Sequence, residues 1–382
     1  MSLSENYLLN LYLERNLEII KGKECYLYDK HGNKYLDLMS NYGANILGYN
    51  NKILNRAAHQ QINTLNNLHN SFLNPIRNKL AKKLLEKCNF DGKVLFLNSG
   101  AEAIDAALKF ALYFSEKQGI IAMKNSYHGK TIGALSLTYE KKYKQKIENF
   151  LINVKFVDYG NLDDIQKNLD KQTGVIIIEP IQGDGGINIP PKGYLENLSQ
   201  LCKENKIVLI IDEIQTGIGR TGKFLASQWE NINPDIICLG KGIANGFPLS
   251  AVIVKNKIAD IIPKFFQTST FGGNLVSCNV ALRVLEIIND NLLTEIKNKG
   301  DYLIQKLNLI SNSLIKEIRG RGLIIGIELV DKRTFVLKKL QENFILAIPS
   351  GKNVIRLLPP YIIKFKDLDY FIEKFEKIIK NV

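Results

Sequence analysis

Short apolar runs recur along the chain and alternate with stretches of helical periodicity from about residue 50 onward. Apolar runs without polar interruption are typical of strands that are buried on both faces. They predict strands at 94–97, 120–123, 175–178, 207–211, 236–239 and 251–254. Residues 101–116 predict a helix, with one apolar face formed by Ile104, Ala107, Leu108 and Ala111. The alternation indicates an α/β fold with a mostly parallel sheet covered by helices on both sides.

The two ends of the chain follow different patterns. Residues 24–40 alternate around a turn at 29–33, which predicts a short hairpin. Beyond residue 280 come a long helical stretch, a strand at 322–329 and a final strand–helix unit that ends with residues 367–379. We therefore predict three parts: an N-terminal segment that packs with the small domain (1–49), a large domain (50–279) and a small C-terminal domain (280–382).

Composition narrows the class of protein. The chain has 382 residues, 45% hydrophobic and 23% charged, which is typical of a globular protein with substantial cores. No apolar run reaches the ~20 residues that span a bilayer. Residues 1–16 carry charges within their apolar pattern, unlike a signal peptide. The five cysteines are scattered without a CxxC pair, so we predict no disulfide framework, no metal site and a cytoplasmic location.

The net charge of +13 leaves two interpretations open. It could serve an anionic partner, or it could reflect a composition rich in Lys, Asn and Ile. The lysines are spread over residues 79–93, 141–155 and the C-terminal third, and no nucleic-acid-binding motif accompanies them. We therefore predict neither nucleic acid nor membrane as a partner.

Two polar residues stand at the ends of successive predicted strands. Asp212 follows the run 207–211, and Lys241 follows 236–239 after one glycine. Ligands of open α/β sheets bind beyond the carboxyl ends of the strands. A lysine can hold the aldehyde of pyridoxal phosphate as a Schiff base, and an aspartate can keep the pyridine nitrogen protonated. Each residue alone has a plainer explanation, a helix cap or a solvated amine, so the prediction rests on the pair.

Three further turns supply candidate cofactor contacts. Residues 98–101 join a strand to a helix, where backbone amides could hold a phosphate; an ordinary helix cap is the alternative. Tyr127 could stack on a planar cofactor or be a core tyrosine, and His128 beside it could be structural. Residues 269–274 contain Thr270 and two glycines, suited to close backbone approach or to a plain turn.

These segments together resemble the class III aminotransferases of the fold-type I pyridoxal phosphate enzymes. Within that family they resemble the acetylornithine aminotransferase group most. The similarity runs from Tyr26 to about Phe375 through FLNSGAEAIDAALKFA, YHGKTIGALSLT, IIIEPIQGDGGI, LIIDEIQTGIGRTG, LGKGIANGFPLSA, STFGGN and VIRLLPP. The resemblance implies a large domain with a sheet of the seven-stranded type, a smaller α/β C-terminal domain and pyridoxal phosphate as cofactor.

The resemblance also implies a role for each matching residue. Lys241 would form the Schiff base and move a proton, Asp212 would pair with the pyridinium nitrogen, and Gln215 would contact the phenolic-oxygen side of the ring. Arg356 would bind a substrate carboxylate through its bidentate fork. The remaining cofactor contacts would come from Ser99, Gly100, Ala101, Tyr127, His128 and, across a homodimer interface that holds the active sites, Thr270.

Two substrate-binding positions depart from the family pattern. Asp184 stands where a glutamate is usual, and its side chain is one methylene shorter, so we expect looser pairing with Arg356. Lys130 stands where an arginine is usual. Lysine keeps the charge that recognises the distal carboxylate of glutamate but lacks the planar fork.

The implied reaction is ω-amino transfer in arginine or lysine biosynthesis. Glutamate donates its amino group, leaving 2-oxoglutarate, and the terminal aldehyde of an N-masked semialdehyde accepts it. The mask prevents the semialdehyde from cyclising onto its own α-amine. N-acetylornithine is one masked substrate of this kind.

Segments 41–45, 137–143, 354–363 and 366–368 are more similar to enzymes whose substrate is attached to LysW, a small acidic amino-group carrier protein. Tyr42, in the first segment, could line the substrate pocket or be a surface tyrosine. The +13 charge would steer an acidic carrier to the site. We therefore predict a LysW-linked substrate, with N-acetylornithine, ornithine or 4-aminobutyrate transfer as alternatives. A catalytically silent protein of this fold is disfavoured because Lys241 and Asp212 are both present.

Overall fold

The computed structural model describes residues 7–382. Residues 1–6, which belong to the predicted segment 1–49 and to the stretch judged unlike a signal peptide, lie outside the described residues. The strands are β1 (Ile19–Lys23), β2 (Tyr26–Asp29), β3 (Lys34–Asp37), β4 (Gly92–Leu97), β5 (Gly119–Met123), β6 (Lys155–Val157), β7 (Thr173–Ile178), β8 (Val208–Asp212), β9 (Ile236–Leu239), β10 (Ser250–Lys255), β11 (Ile315–Arg321), β12 (Ile324–Leu329), β13 (Ile345–Leu346), β14 (Ile348–Ser350) and β15 (Val354–Leu357).

The helices are α1 (Ser40–Gly43), α2 (Lys52–Thr64), α3 (Pro75–Cys88), α4 (Gly100–Ser115), α5 (Ile132–Leu137), α6 (Leu162–Asn168), α7 (Tyr194–Glu204), α8 (Asn256–Ala259), α9 (Leu275–Ile287), α10 (Asp290–Asn308), α11 (Arg333–Glu342) and α12 (Phe365–Lys380). Short 3-10 helices cover Lys141–Tyr143, Glu148–Phe150, Ala226–Trp229 and Lys241–Ala244. Within residues 7–382, none of the helices is long and apolar enough to cross a membrane.

The largest sheet has seven strands in the order β4-β10-β9-β8-β7-β5-β6. Neighbours from β9 through β6 are parallel. β10 runs antiparallel to both of its neighbours, β9 and β4. The predicted α/β fold with a mostly parallel sheet is confirmed.

The unbroken apolar runs arise because both faces of this sheet are covered. In β7, Val175 and Ile177 pack in the cluster that includes α4, whereas Ile176 and Ile178 pack in the cluster that includes α7. In β8 the same alternation places Val208 and Ile210 on the α4 side and Leu209 and Ile211 on the α7 side. Each such side chain contributes ~1.5–3 kcal/mol to folding.

Two four-stranded sheets lie outside the large one. β11, β12, β15 and β14 form an antiparallel sheet in the C-terminal part. The second sheet has the order β1-β2-β3-β13, and β13 runs parallel to β3. This pairing ties the N-terminal hairpin to residues from the C-terminal part. The domain boundaries at 49/50 and 279/280 stay a proposal.

The strands named from apolar runs lie within two residues of their expected bounds, as with 175–178 and Thr173–Ile178. β6, β13 and β14 have three, two and three residues. Such strands are too short to show a periodicity, so their existence depends on the neighbours with which they pair.

Candidate active site

The alternation of side chains along β8 decides which carboxylate enters the site. Ile210 faces α4, so Asp212, two residues later, faces the same side. Glu213, the next residue, is also buried, but its carboxylate accepts the backbone N–H groups of Ala226 (3.0 Å) and Ser227 (2.7 Å) instead. A shift of one residue in this strand would exchange the two acids.

His128 holds the Asp212 carboxylate in place. Its Nδ1 lies 2.7 Å from Asp212 Oδ2, and both side chains are buried. Asp212 Oδ1 accepts the backbone N–H of Ile214 at 3.0 Å. Because the acceptor is a carboxylate, Nδ1 carries the proton and donates. The sequence placed His128 among the cofactor contacts; the structure places it against Asp212, where it orients the acid.

Glu179 lies behind this pair. It follows β7 directly and accepts backbone N–H groups from Tyr127 at 3.0 Å and Gly183 at 2.9 Å. Burial raises the pKa of Glu179, nearby His128 opposes the rise and Asp212 reinforces it. Sequence reasoning missed this residue. The rule that selected Asp212, a polar residue directly after an apolar strand, would also have selected Glu179.

Lys241 begins the 3-10 helix that follows β9, in a left-handed conformation with φ of 43°. Left-handed backbone at a residue other than glycine costs ~1–3 kcal/mol and is concentrated at functional sites. Burial and the charge of Arg356 together lower the pKa of Lys241 to about 8, against the opposing effect of Asp212. Near neutral pH, a larger fraction of this lysine than of an ordinary lysine is therefore the neutral, nucleophilic amine.

The strand–helix turn at 98–101 lies against the lysine loop. A Cβ added to Gly240 would lie 3.6 Å from the Cα of Gly100. Ser99 caps α4, because its Oγ accepts the N–H of Glu102 at 3.3 Å. The hydroxyl thus caps the helix, and the phosphate contact of Ser99 stays a prediction. The first-turn N–H groups of Gly100 and Ala101 have no acceptor within a helix and can hold an anion.

Arg356 is buried beside this loop on β15. Its Nη1 donates to Gln215 Oε1 at 3.2 Å and its Nη2 to Asp184 Oδ1 at 3.3 Å. Its Nε is buried without a hydrogen-bond partner among residues 7–382. Both contacts are long and neither is bidentate. The structure therefore places Asp184 against Arg356, as the family resemblance implied, and adds Gln215 as a second partner of the same guanidinium.

Tyr42 lies beside Arg356, with 5.8 Å between the guanidinium carbon and the ring centroid. It is half-exposed and belongs to a turn in which Ser40, Asn41 and Tyr42 all have positive φ. Neither of the two interpretations of Tyr42 describes it fully, since it is partly exposed and yet faces the buried arginine.

Lys130 lies near an aromatic pair. Its Nζ is 4.4 Å from the ring centroid of Tyr143, and Lys142 Nζ is 5.0 Å from the same centroid. The Tyr143 and Tyr127 rings meet edge to face with centroids 6.0 Å apart. Burial raises the pKa of Tyr143 to about 12, with the charge of Asp184 adding to the rise. Tyr143 was not among the predicted site residues, although the stretch 137–143 contains it.

Thr270 is exposed. Its neighbour Ser269 accepts a hydrogen bond from Asn98 Nδ2 at 3.3 Å, and Asn70 Nδ2 donates to the backbone oxygen of Gly272 at 3.0 Å. The loop that carries Thr270 is therefore held at the start of the 98–101 turn while the threonine itself stays accessible.

Comparison with known proteins decides the family. A family model described as Aminotransferase class-III matches residues 12–379. The chain belongs to the class III aminotransferases.

Relatives of known activity align with this aminotransferase over nearly its whole length. It is 38% identical to an acetylornithine aminotransferase of Clostridium acetobutylicum, over 99% of this chain and 100% of that one. It is 36% identical to ornithine aminotransferase 1 of Staphylococcus aureus, over 100% and 99%. The crystal structure of the Toxoplasma gondii ornithine aminotransferase superposes with a TM-score of 0.94 at 31% identity, covering 98% of this chain and 93% of that chain. The fold is therefore that of the fold-type I transferases.

Pyridoxal phosphate is the cofactor of class III aminotransferases, and the residues of this aminotransferase fit it. Lys241 offers a neutral amine, Asp212 offers a buried, oriented carboxylate, and the start of α4 offers amides for a phosphate. When bound, the cofactor supplies the aldehyde that carries the amino group and a ring that accepts electrons.

The lowered pKa of Lys241 predicts how cofactor uptake depends on pH. The amine is neutral above pH about 8, whereas an ordinary lysine is neutral only above ~10.4. Uptake of pyridoxal phosphate by cofactor-free enzyme, followed by absorbance, should rise with pH with a midpoint near 8. Arg356→Met removes a charge that lowers this pKa and should move the midpoint upward, while exposed Arg283→Met should not. If the midpoint is the same in Arg356→Met as in the unmodified enzyme, the charge of Arg356 does not contribute to the lowered pKa of Lys241.

The buried pair of Asp212 and His128 predicts a second outcome. Asp212→Asn keeps the size of the side chain but removes the charge that would face the ring nitrogen. We expect the protein to stay folded by circular dichroism and turnover to fall at least ~100-fold, or ~2.7 kcal/mol. Asp163→Asn, the same exchange at an exposed position of α6, is the control. Unchanged turnover in Asp212→Asn would remove Asp212 from this role.

Proposed function

We propose that this aminotransferase moves an amino group between glutamate and the terminal carbon of an ornithine-type substrate, either N-acetylornithine, whose α-amine is masked, or ornithine itself. The observation that carries the proposal is the loose pairing of Arg356. The relatives named for acetylornithine and ornithine support the choice of substrate.

An enzyme that acts on both of these substrates needs an arginine whose charge is available to one substrate and neutralised for the other. Glutamate presents a carboxylate next to the reacting amine, whereas the terminal amine of ornithine has only methylenes there. Arg356 would bind the first and must be neutralised for the second. Asp184, partly exposed and 3.3 Å away, can provide that charge and withdraw from it. The free Nε and the long contacts leave donors for an incoming carboxylate.

The second carboxylate of either substrate would lie toward Lys130. Lys130 is exposed above Tyr143, which packs on Tyr127. A flexible ammonium over an aromatic ring can reach carboxylates at slightly different distances, as glutamate and N-acetylornithine require. Tyr42 would close the opposite side of Arg356.

The roles of the remaining residues follow the same proposal. Lys241 would hold the cofactor and then take the proton from the substrate carbon that bears nitrogen. Asp212, oriented by His128, would face the ring nitrogen, and Gln215 and Tyr127 would contact the ring. The phosphate would be bound by Ser99, Gly100 and Ala101.

A homodimer would complete the site through Thr270. Phe72, Leu73 and Phe271 are exposed on the two loops that Arg77 joins by donating to the backbone oxygens of Gly273 (2.7 Å) and Leu68. Exposed apolar side chains grouped on tethered loops are typical of a protein interface. A second subunit on this surface would meet Thr270.

A LysW-linked substrate is the second candidate. Lys130 and Lys142 are exposed beside the site, and the net charge is +13, which suits an acidic carrier.

All five cysteines lie in the described range, buried and unpaired, which favours a reducing compartment such as the cytoplasm.

Half-reactions test the proposal directly. The cofactor-loaded enzyme should lose its visible absorbance rapidly with L-glutamate and with N-acetyl-L-ornithine or L-ornithine. LysW carrying a γ-linked ornithine or lysine is tested in parallel. Fast loss with carrier-linked donors alone, slowed by salt, would favour the second candidate. Loss with glutamate but with none of these ω-amines would overturn both.

Asp184 provides a sharper test of the switch. Asp184→Asn leaves Arg356 charged when the terminal amine is bound, so kcat/KM for N-acetylornithine should fall about tenfold relative to that for glutamate, the factor that ~1.4 kcal/mol gives. Asp184→Glu keeps the charge and should preserve the ratio. If Asp184→Asn lowers kcat/KM equally for N-acetylornithine and glutamate, Asp184 does not act through Arg356.

A further inference from the structure

Arg220 is a buried cation outside the site. It lies eight residues after Asp212, in the segment that follows β8, and is 1% exposed. Within residues 7–382, none of its hydrogen bonds goes to a carboxylate. Nη1 donates to the backbone oxygens of Leu323 at 3.0 Å and Pro359 at 2.7 Å. Nη2 donates to Ser40 Oγ at 3.3 Å.

An aromatic ring and burial define the rest of this environment. The guanidinium carbon lies 4.7 Å from the ring centroid of Tyr361, whose hydroxyl donates to the backbone oxygen of Ile218. Burial lowers the pKa of Arg220. A buried charge without an acid is costly, and an apolar side chain of similar volume would usually be the more stable occupant. What the arginine adds is a link from its own segment to three others, those of Ser40, Leu323 and Pro359.

Two of these segments carry residues that contact the substrate in the proposed function. Pro359 lies three residues after Arg356. Ser40 lies two residues before Tyr42. The segment of Arg220 itself contains Gln215, the hydrogen-bond partner of Arg356. One guanidinium therefore connects the segments that carry Arg356, Tyr42 and Gln215.

The Ser40 turn needs such support. Ser40, Asn41 and Tyr42 have φ values of 39°, 50° and 57°, a run of left-handed residues without glycine. Surrounding contacts must hold such backbone in place. Ser40 Oγ donates to the backbone oxygen of Leu358 at 2.6 Å and accepts from Arg220. This relay connects the turn to the strand end that carries Arg356.

We infer that Arg220 is a positioning residue that sets the carboxylate-binding geometry of Arg356 and Tyr42 through Ser40 and Pro359. The inference rests on the proposed function only in assigning glutamate to Arg356. Loss of the link would move Arg356 relative to the lysine loop and weaken carboxylate binding, while N-acetylornithine, whose reacting end lacks a carboxylate, would be affected less.

The test measures glutarate affinity and the two half-reactions in Arg220→Met, Arg220→Lys and Ser40→Ala. Glutarate, a dicarboxylate without an amine, is titrated by its effect on the cofactor absorbance. Arg220→Met should weaken glutarate binding and raise KM for L-glutamate by about tenfold or more, since small displacements in a site have effects of this size or larger. KM for N-acetyl-L-ornithine should stay within about twofold. Arg220→Lys should restore part of the affinity.

Ser40→Ala tests the same link if Arg220→Met fails to fold, because it removes only the hydroxyl that connects Arg220 to the backbone oxygen of Leu358. It should show the same selective defect at smaller size. Arg283→Met, which changes an exposed arginine paired with Glu286, is the matched control.

The inference would be overturned if Ser40→Ala and Arg220→Lys left the glutarate affinity unchanged and slowed the half-reactions with L-glutamate and N-acetyl-L-ornithine equally. Failure of the unmodified enzyme to react with either donor would overturn the proposed function instead. The glutarate titration would still decide whether Arg220 controls carboxylate binding.

Discussion

The contact between Asp212 and His128 is the interaction on which the site depends. It lies at the carboxyl end of β8, at 2.7 Å and shielded from water. Because the strands β7, β8 and β9 are parallel, their ends bring Glu179, Asp212 and the loop of Lys241 to one edge. The histidine gives this buried carboxylate a hydrogen-bond partner and fixes its orientation, and a buried polar group without a partner would be costly.

Around this buried pair, the groups proposed to bind substrate are held more loosely. Arg356 has two long, single hydrogen bonds and a free Nε, and Asp184 is partly exposed. A tight bidentate pair would stabilise one state of the arginine and oppose the other. The shorter aspartate therefore has a physical consequence: it can neutralise Arg356 without competing strongly with a substrate carboxylate.

The parts that sequence reasoning anticipated obey local rules. The apolar runs predicted β4, β5, β7, β8, β9 and β10, and the strand-end rule selected Asp212, Lys241 and the 98–101 turn. Glu179 obeys the same rule, since it directly follows β7, but it was not among the predicted site residues. Tyr143 and Arg220 carry no local signal. Tyr143 contacts Lys130, and Arg220 contacts Ser40, across 13 and 180 residues of chain.

The sequence by itself indicated the fold class and placed Asp212 and Lys241 at the ends of successive strands. These follow from apolar runs and strand order, which are properties of short segments. Only the tertiary structure decided that Asp212 rather than Glu213 faces α4, that His128 contacts Asp212, that Gln215 also contacts Arg356, and that Arg220 links its own segment to three others. Those contacts depend on distances between residues far apart in the chain, and packing alone sets such distances.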